Sequence, residues 1–139
     1  MKNSLTTNPN SARQMELWLA DLPVVPGHVQ HGTRPVVVVS NDAANIFSPI
    51  VTAVPLTSNR KAATLPTHVC LRGYGLAATS IAKCEQVMAL DKSCLIRRLG
   101  EVSDGRHQQE RGRLLHRRAA VPRQQSGEAK PHRTAVSYR

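Results

Sequence analysis

Several side chains in the first two thirds of this 139-residue chain are of types that can work on a phosphate ester. Arg34 opens the apolar run Pro35-Val36-Val37-Val38-Val39. A rigid strand there would aim its guanidinium at a phosphate through two parallel hydrogen bonds. Thr57 and Ser58 end the next apolar run and can donate hydroxyl hydrogen bonds to the same anion. Lys83 and Glu85 lie two apart, so on a strand they would share one face and form an acid–base pair. His28 and His31 stand in the Pro- and Gly-rich segment before Arg34, and imidazole is the side chain suited to proton transfer near neutral pH. Each residue alone has an ordinary alternative: a solvated strand end, a turn, an exposed ion pair, a surface loop. As a set they offer a base, an acid and anion-holding donors, which is what cleavage of a phosphodiester requires. The histidines are dispersed and no carboxylates recur at ligand spacing, so the expectation is chemistry with no metal and no cofactor.

The charge balance names the kind of partner. Nineteen Lys and Arg against nine Asp and Glu give +10, a charge that attracts polyanions, of which nucleic acid is the commonest in a cell. The excess is uneven, since residues 104–139 hold nine of the basic side chains and three of the acidic ones. Aromatics make up 3%, too few for a base-stacking platform, which argues against an RRM or a single-strand-binding barrel. Cys70, Cys84 and Cys94 are odd in number and lack C-x-x-C spacing, so a disulfide framework or zinc site is not expected and a reducing cytoplasm fits. No apolar run is long enough for a membrane helix, and no signal-peptide pattern opens the chain.

The positioning elements can be read from pattern. Residues 1–13 are polar and read as a disordered leader, with order beginning near Met15. Leu17 and Leu19, bracketed by Glu16, Trp18 and Ala20, suit a first strand that Pro23 and Pro26 stop. The four valines from Val36 need cover on both faces and predict a central strand. Asn41 or Asp42 caps one helical turn through Phe47. Strands are expected over 50–56, with Pro55 marking a bulge or an edge, over 67–71, and over 79–88. Asp91 reads as the N-cap of a short helix over 92–99 ended by Gly100. The sum is an α+β chain, mostly β: a small barrel with short helices over 14–103. The tail 104–139 has one apolar pair, Leu114-Leu115, and a composition that predicts disorder or divergence.

Taken in order, Glu16-Leu17-Trp18-Leu19-Ala20-Asp21-Leu22, Gly27 through Ser40, Ser48-Pro49 through Thr57-Ser58, Leu65-Pro66-Thr67-His68-Val69, Ser80-Ile81-Ala82-Lys83-Cys84-Glu85-Gln86 and Leu90-Asp91-Lys92 with Leu99-Gly100 resemble the MazF/PemK family of toxin–antitoxin endoribonucleases. The Gln30-x-Gly32-x-Arg34-Pro35 core followed by valines is the specific part. The resemblance implies an SH3-like β-barrel working as a homodimer, metal-free cleavage of single-stranded RNA, and silencing by an acidic antitoxin. It implies Arg34 as the essential arginine, Thr57 as the phosphate-contacting threonine, and His28, Lys83 and Glu85 at positions that act in the PemK-like branch. Gln30, His31, Ser58 and Gln86 are then candidate contacts to RNA. Two departures stand out: Val29 where the family usually has Glu, and Met15 where it usually has Gly. The amphipathic helix that family members carry after the position of Ser103 is not recognisable in the Arg- and Gln-rich tail. The leading expectation is therefore a toxin ribonuclease, and the alternative is a non-catalytic relative that only binds antitoxin or RNA.

Overall fold

The computed structural model describes residues 8–59, 65–102 and 113–115. Seven strands, β1 (Glu16–Leu22), β2 (Gly32–Val38), β3 (Ile50–Thr57), β4 (His68–Leu71), β5 (Ser80–Lys83), β6 (Met88–Asp91) and β7 (Leu95–Glu101), form one antiparallel sheet in the order β4-β5-β3-β2-β1-β7, with β6 beside β3. One short helix, α1 (Asp42–Phe47), joins β2 to β3; Asn41 caps it, its side-chain oxygen accepting from the Ala44 N–H at 2.9 Å.

The valine run is central, as its composition predicts. Val36 to Val39 are all fully buried, and alternate residues enter different clusters. Val37 and Val39 join Met15, Leu17, Val54, Leu56, Val69, Leu71 and Ala82 in a first core, while Val36 and Val38 join Trp18, Ala20, Val51, Ala53, Leu90 and Leu95 in a second. Val69 and Leu71 of β4 and Leu99 of β7 come from opposite ends of the strand order yet pack on the first core. The sheet therefore curls around that core as a barrel does, with no ladder joining β4 to β7 among the described residues.

Two expected elements differ. The strand over 79–88 is broken: β5 ends at Lys83, a 3-10 turn covers Cys84–Gln86, and β6 begins at Met88. Both halves pair along the same edge of β3. Stepping from Leu56 to Ala53 on β3 takes three residues, whereas the partners Ala82 and Met88 are six apart. The three surplus residues are accommodated by the turn. The expected helix over 92–99 is a 3-10 turn at Lys92–Cys94 followed by β7, because pairing with β1 from Glu16↔Glu101 to Ala20↔Leu95 covers an edge that local propensity does not register. Pro55 is neither at an edge nor in a bulge; it lies between the β6 and β5 pairings, where the outer side of β3 changes partner.

Both ends of the described fold are tied in. Ala12, upstream of the expected start of order, is fully buried in the second core. Residues 113–115 are helical, with Leu114 fully buried in the first core and Leu115 packed against it. The apolar pair of the tail thus covers the barrel; the rest of the expected disorder over 104–139, and the leader before Asn8, lie outside the described residues.

Met15 is held at φ 74°, in the left-handed region that favours glycine, by its N–H donating to the Val38 carbonyl at 2.7 Å and its carbonyl accepting from the Val102 N–H at 2.8 Å. The conformation costs a side-chain-bearing residue about 1–2 kcal/mol, which the buried Met15 side chain offsets through packing. Met15→Ala should therefore destabilise by about 2–5 kcal/mol in urea unfolding, and Met15→Gly by about 1 kcal/mol less, reversing the usual order of Ala over Gly. Equal or greater loss for the glycine variant would refute the strain.

Candidate active site

Arg34 lies two residues inside β2, half-buried, and its Nε donates to the His31 carbonyl at 2.7 Å. That bond turns the end of the preceding loop back on the strand and leaves the terminal guanidinium nitrogens without a hydrogen bond among the described residues. Thr57 ends β3 and is almost wholly buried; its Oγ1 accepts from the Asn59 N–H at 3.2 Å, so the hydroxyl proton stays available for another acceptor. The β2–β3 ladder runs Val38↔Ala53, Val37↔Val54, Val36↔Pro55 and stops. Two further steps along each strand reach Arg34 and Thr57, so the pair faces each other where the ladder opens.

Side-chain alternation sorts the other expected residues. Leu56 and Ala82 point into the first core, so Thr57, Ile81 and Lys83 occupy the opposite face, and Val36 in the second core puts Arg34 there too. His68, paired with Lys83 in the β4–β5 register, joins them. Arg34, Thr57 and Lys83 are thus on one face of the sheet. Ser58 follows Thr57 just beyond the end of β3 and lines, together with Thr33, Arg34, Pro35, Leu56, Leu76 and Ser80, a cleft of about 270 Å³. Pattern reading did not mark Ser80, whose Oγ donates to the Ala78 carbonyl at 2.9 Å.

Glu85 does not share a strand face with Lys83. It sits in the Cys84–Gln86 turn, where the surplus residues leave the ladder. Its Oε1 accepts from Thr67 Oγ1 at 2.7 Å and its Oε2 lies 3.1 Å from His68 Nε2. Burial raises its pKa, but hydrogen bonds from Thr67, from the Glu85 backbone and from His68 outweigh burial and hold the carboxyl below the ordinary 4.5. The histidine in contact with Glu85 is thus His68, which the residue pattern did not single out; a histidine two residues into an apolar alternation gives no signal of a partner seventeen positions away. Gln86 uses its Oε1 to accept from the Gln30 N–H at 2.9 Å. His28 and His31 have exposed side chains in the loop so anchored.

The far wall of the cleft is the segment after β4. Gly75, at φ 88°, and Gly100 lie back to back: a Cβ on Gly75 would come 1.9 Å from the Leu99 carbonyl oxygen, and one on Gly100 would come 1.9 Å from that of Tyr74. No side chain fits between these peptides, so the wall hangs directly on β7.

The small curled β-sheet brings an arginine, a threonine and a lysine to one face, a set of donors that can hold an anion. Residues 13–116 match the family described as "PemK-like, MazF-like toxin of type II toxin-antitoxin system". The endoribonuclease MazF of Staphylococcus saprophyticus is 39% identical over 94 residues, covering 66% of this chain and 78% of that one. In fold the chain is similar to MazF from Deinococcus radiodurans, with a TM-score of 0.66 at 22% identity over 79% of this chain and 94% of that one. It is also similar to a mycobacterial endoribonuclease in complex with its cognate antitoxin, with a TM-score of 0.62 at 26% identity over 81% and 98%. The chain belongs to the PemK-like, MazF-like toxin family of type II toxin–antitoxin systems.

Two outcomes check this geometry. Gly100→Ala should lower stability by roughly 2 kcal/mol or more, because backbone and not a flexible side chain must move; a loss within about 0.5 kcal/mol would show that the wall is not hung on β7. Because the folded pKa of Glu85 is depressed, its contribution is present above the ordinary value of 4.5 and is lost as pH falls through the lower folded value. Urea unfolding from pH 6 to about 3 should therefore show a steeper acid loss for the wild type than for Glu85→Gln; parallel curves would rule the linkage out.

Proposed function

We propose that this chain is an endoribonuclease toxin that cuts single-stranded RNA by attack of a ribose 2′-OH on the adjacent phosphate, leaving a 2′,3′-cyclic phosphate. The observation that carries it is the placing of Arg34 opposite Thr57 at the open end of the β2–β3 ladder, with Lys83 on the same face. Arg34 and Thr57 hold the phosphate and stabilise the charge that builds on it. His28, on the loop tied down at Gln30 and His31, takes the 2′-OH proton. Lys83 returns a proton to the leaving 5′-oxygen, a task for which an ammonium is better suited than a guanidinium that stays charged. Gln30, His31, Ser58 and Gln86 border the strand that is cut. The protein works in the cytoplasm as a homodimer, and its partner is an acidic antitoxin, which the net charge of +10 favours.

Purified protein incubated in EDTA with long single-stranded RNA should make discrete cuts. Arg34→Ala should slow cleavage by about 100-fold or more and Thr57→Ala by about tenfold. Binding without cuts would favour the non-catalytic alternative, and cuts that disappear in EDTA would refute the metal-free route.

A further inference from the structure

We infer that Glu85 is a positioning residue and not the proton acceptor: with Thr67, His68 and Gln86 it forms a brace that sets the spacing of the two segments flanking the phosphate site. The inference rests on the ribonuclease reading above and departs from the assignment that the Lys83-x-Glu85 pattern suggested.

The hydrogen bonds decide the tautomer. The Leu65 N–H lies 3.3 Å from His68 Nδ1. A backbone amide only donates, so Nδ1 accepts, and neutral His68 carries its proton on Nε2. Nε2–H therefore donates to Glu85 Oε2 at 3.1 Å, while Thr67 Oγ1 donates to Oε1 at 2.7 Å. Both ring nitrogens and both carboxylate oxygens are committed. These bonds favour the ionised carboxylate and make it a weak base.

The same turn grips the other side. Gln86, next to Glu85, accepts from the Gln30 N–H at 2.9 Å across 56 positions. Fully buried Cys84 roots the turn in the first core, and the Val87 N–H closes it on the Cys84 carbonyl at 3.2 Å. One gripped segment runs from Gln30 through His31, whose carbonyl holds Arg34, into β2. The other, Leu65 to His68, enters β4, which pairs with β5 at His68↔Lys83, as β5 pairs with β3 at Thr57↔Ile81. The charged groups facing His68 are Glu85 from the turn and Lys83 from the paired position on β5. The brace thus holds the arginine side and the threonine side of the site at a set distance, with Lys83 between.

The test compares His68→Ala, Glu85→Ala, the double variant and His68→Gln, whose amide can still donate to Glu85. With an RNA oligonucleotide that the wild type cuts, each alanine variant should raise KM about tenfold with kcat within about threefold, and the double variant should be no worse than the poorer single. His68→Gln should recover most of the KM loss. Amide hydrogen exchange reads the brace without cleavage: the Leu65 amide should exchange at least about tenfold faster in His68→Ala, and the Gln30 amide likewise in Gln86→Ala. A fall of about 100-fold or more in kcat at unchanged KM in Glu85→Ala alone would make Glu85 the base and overturn the inference. Leu65 and Gln30 amides that do not respond would overturn it as well. A wild type that cuts no RNA would sink the ribonuclease reading, while the exchange data would still judge the brace.

Discussion

Val36 to Val39 sit on a strand that has to be covered on both sides at once, and the rest of the molecule is arranged around that demand. Fully burying four valines is worth roughly 6–12 kcal/mol, which is comparable with the whole net stability of a small domain. One layer of cover is not enough. The chain meets the demand by curling β4 and β7 toward each other around Val37 and Val39 and by laying the start of the fold, with Ala12 and the Lys92–Cys94 turn, near Val36 and Val38. Lys92 helps to lock this second layer: its buried ammonium donates to the Asn45 carbonyl of α1. Because the valine run is immobilised on both faces, Thr33 and Arg34, earlier on the same strand, inherit a rigid base at the point where the ladder of β2 with β3 ends.

The site follows from a mismatch on the other edge of β3. Two strands share that edge, and their registers differ by three residues, so three residues must leave the sheet. Cys84 turns into the core, and Glu85 and Gln86 are carried out of the ladder with side chains that can reach neighbouring segments. A continuous strand over the same stretch would have set Glu85 beside Lys83 as a simple ion pair on one face. The turn instead gives Glu85 to Thr67 and His68 and Gln86 to Gln30, separating the carboxylate from the lysine and spending it on architecture.

Membership of the toxin family fits a chain with a net charge of +10 and a β2–β3 ladder that opens between Arg34 and Thr57. It also explains two irregularities. Met15, in a left-handed conformation, occupies a place suited to glycine, and a large side chain is tolerated there because it fills the first core. The tail, which by composition offers little to a packed helix, still sends Leu114 into that core, and the family match extends through residue 116.

How far the chain was legible before folding can be judged residue by residue. The strand-forming runs around Leu17, Val36 and Val51, the Asn41 cap and the Arg34 and Thr57 positions were all readable, because burial period, turn chemistry and residue type act over a few neighbours. The family order of motifs was readable for the same reason. What the local pattern could not supply was anything set by pairing between distant strands. The register offset on β3 turned one expected strand into two, β1's free edge drew an expected helix into β7, and the His68–Glu85 contact arose between residues seventeen positions apart. Sequence alone determined which segments must be buried and which side chains can do chemistry. Tertiary structure decided which of those side chains meet, because registers and edges are properties of the whole sheet and are written in no single stretch of it.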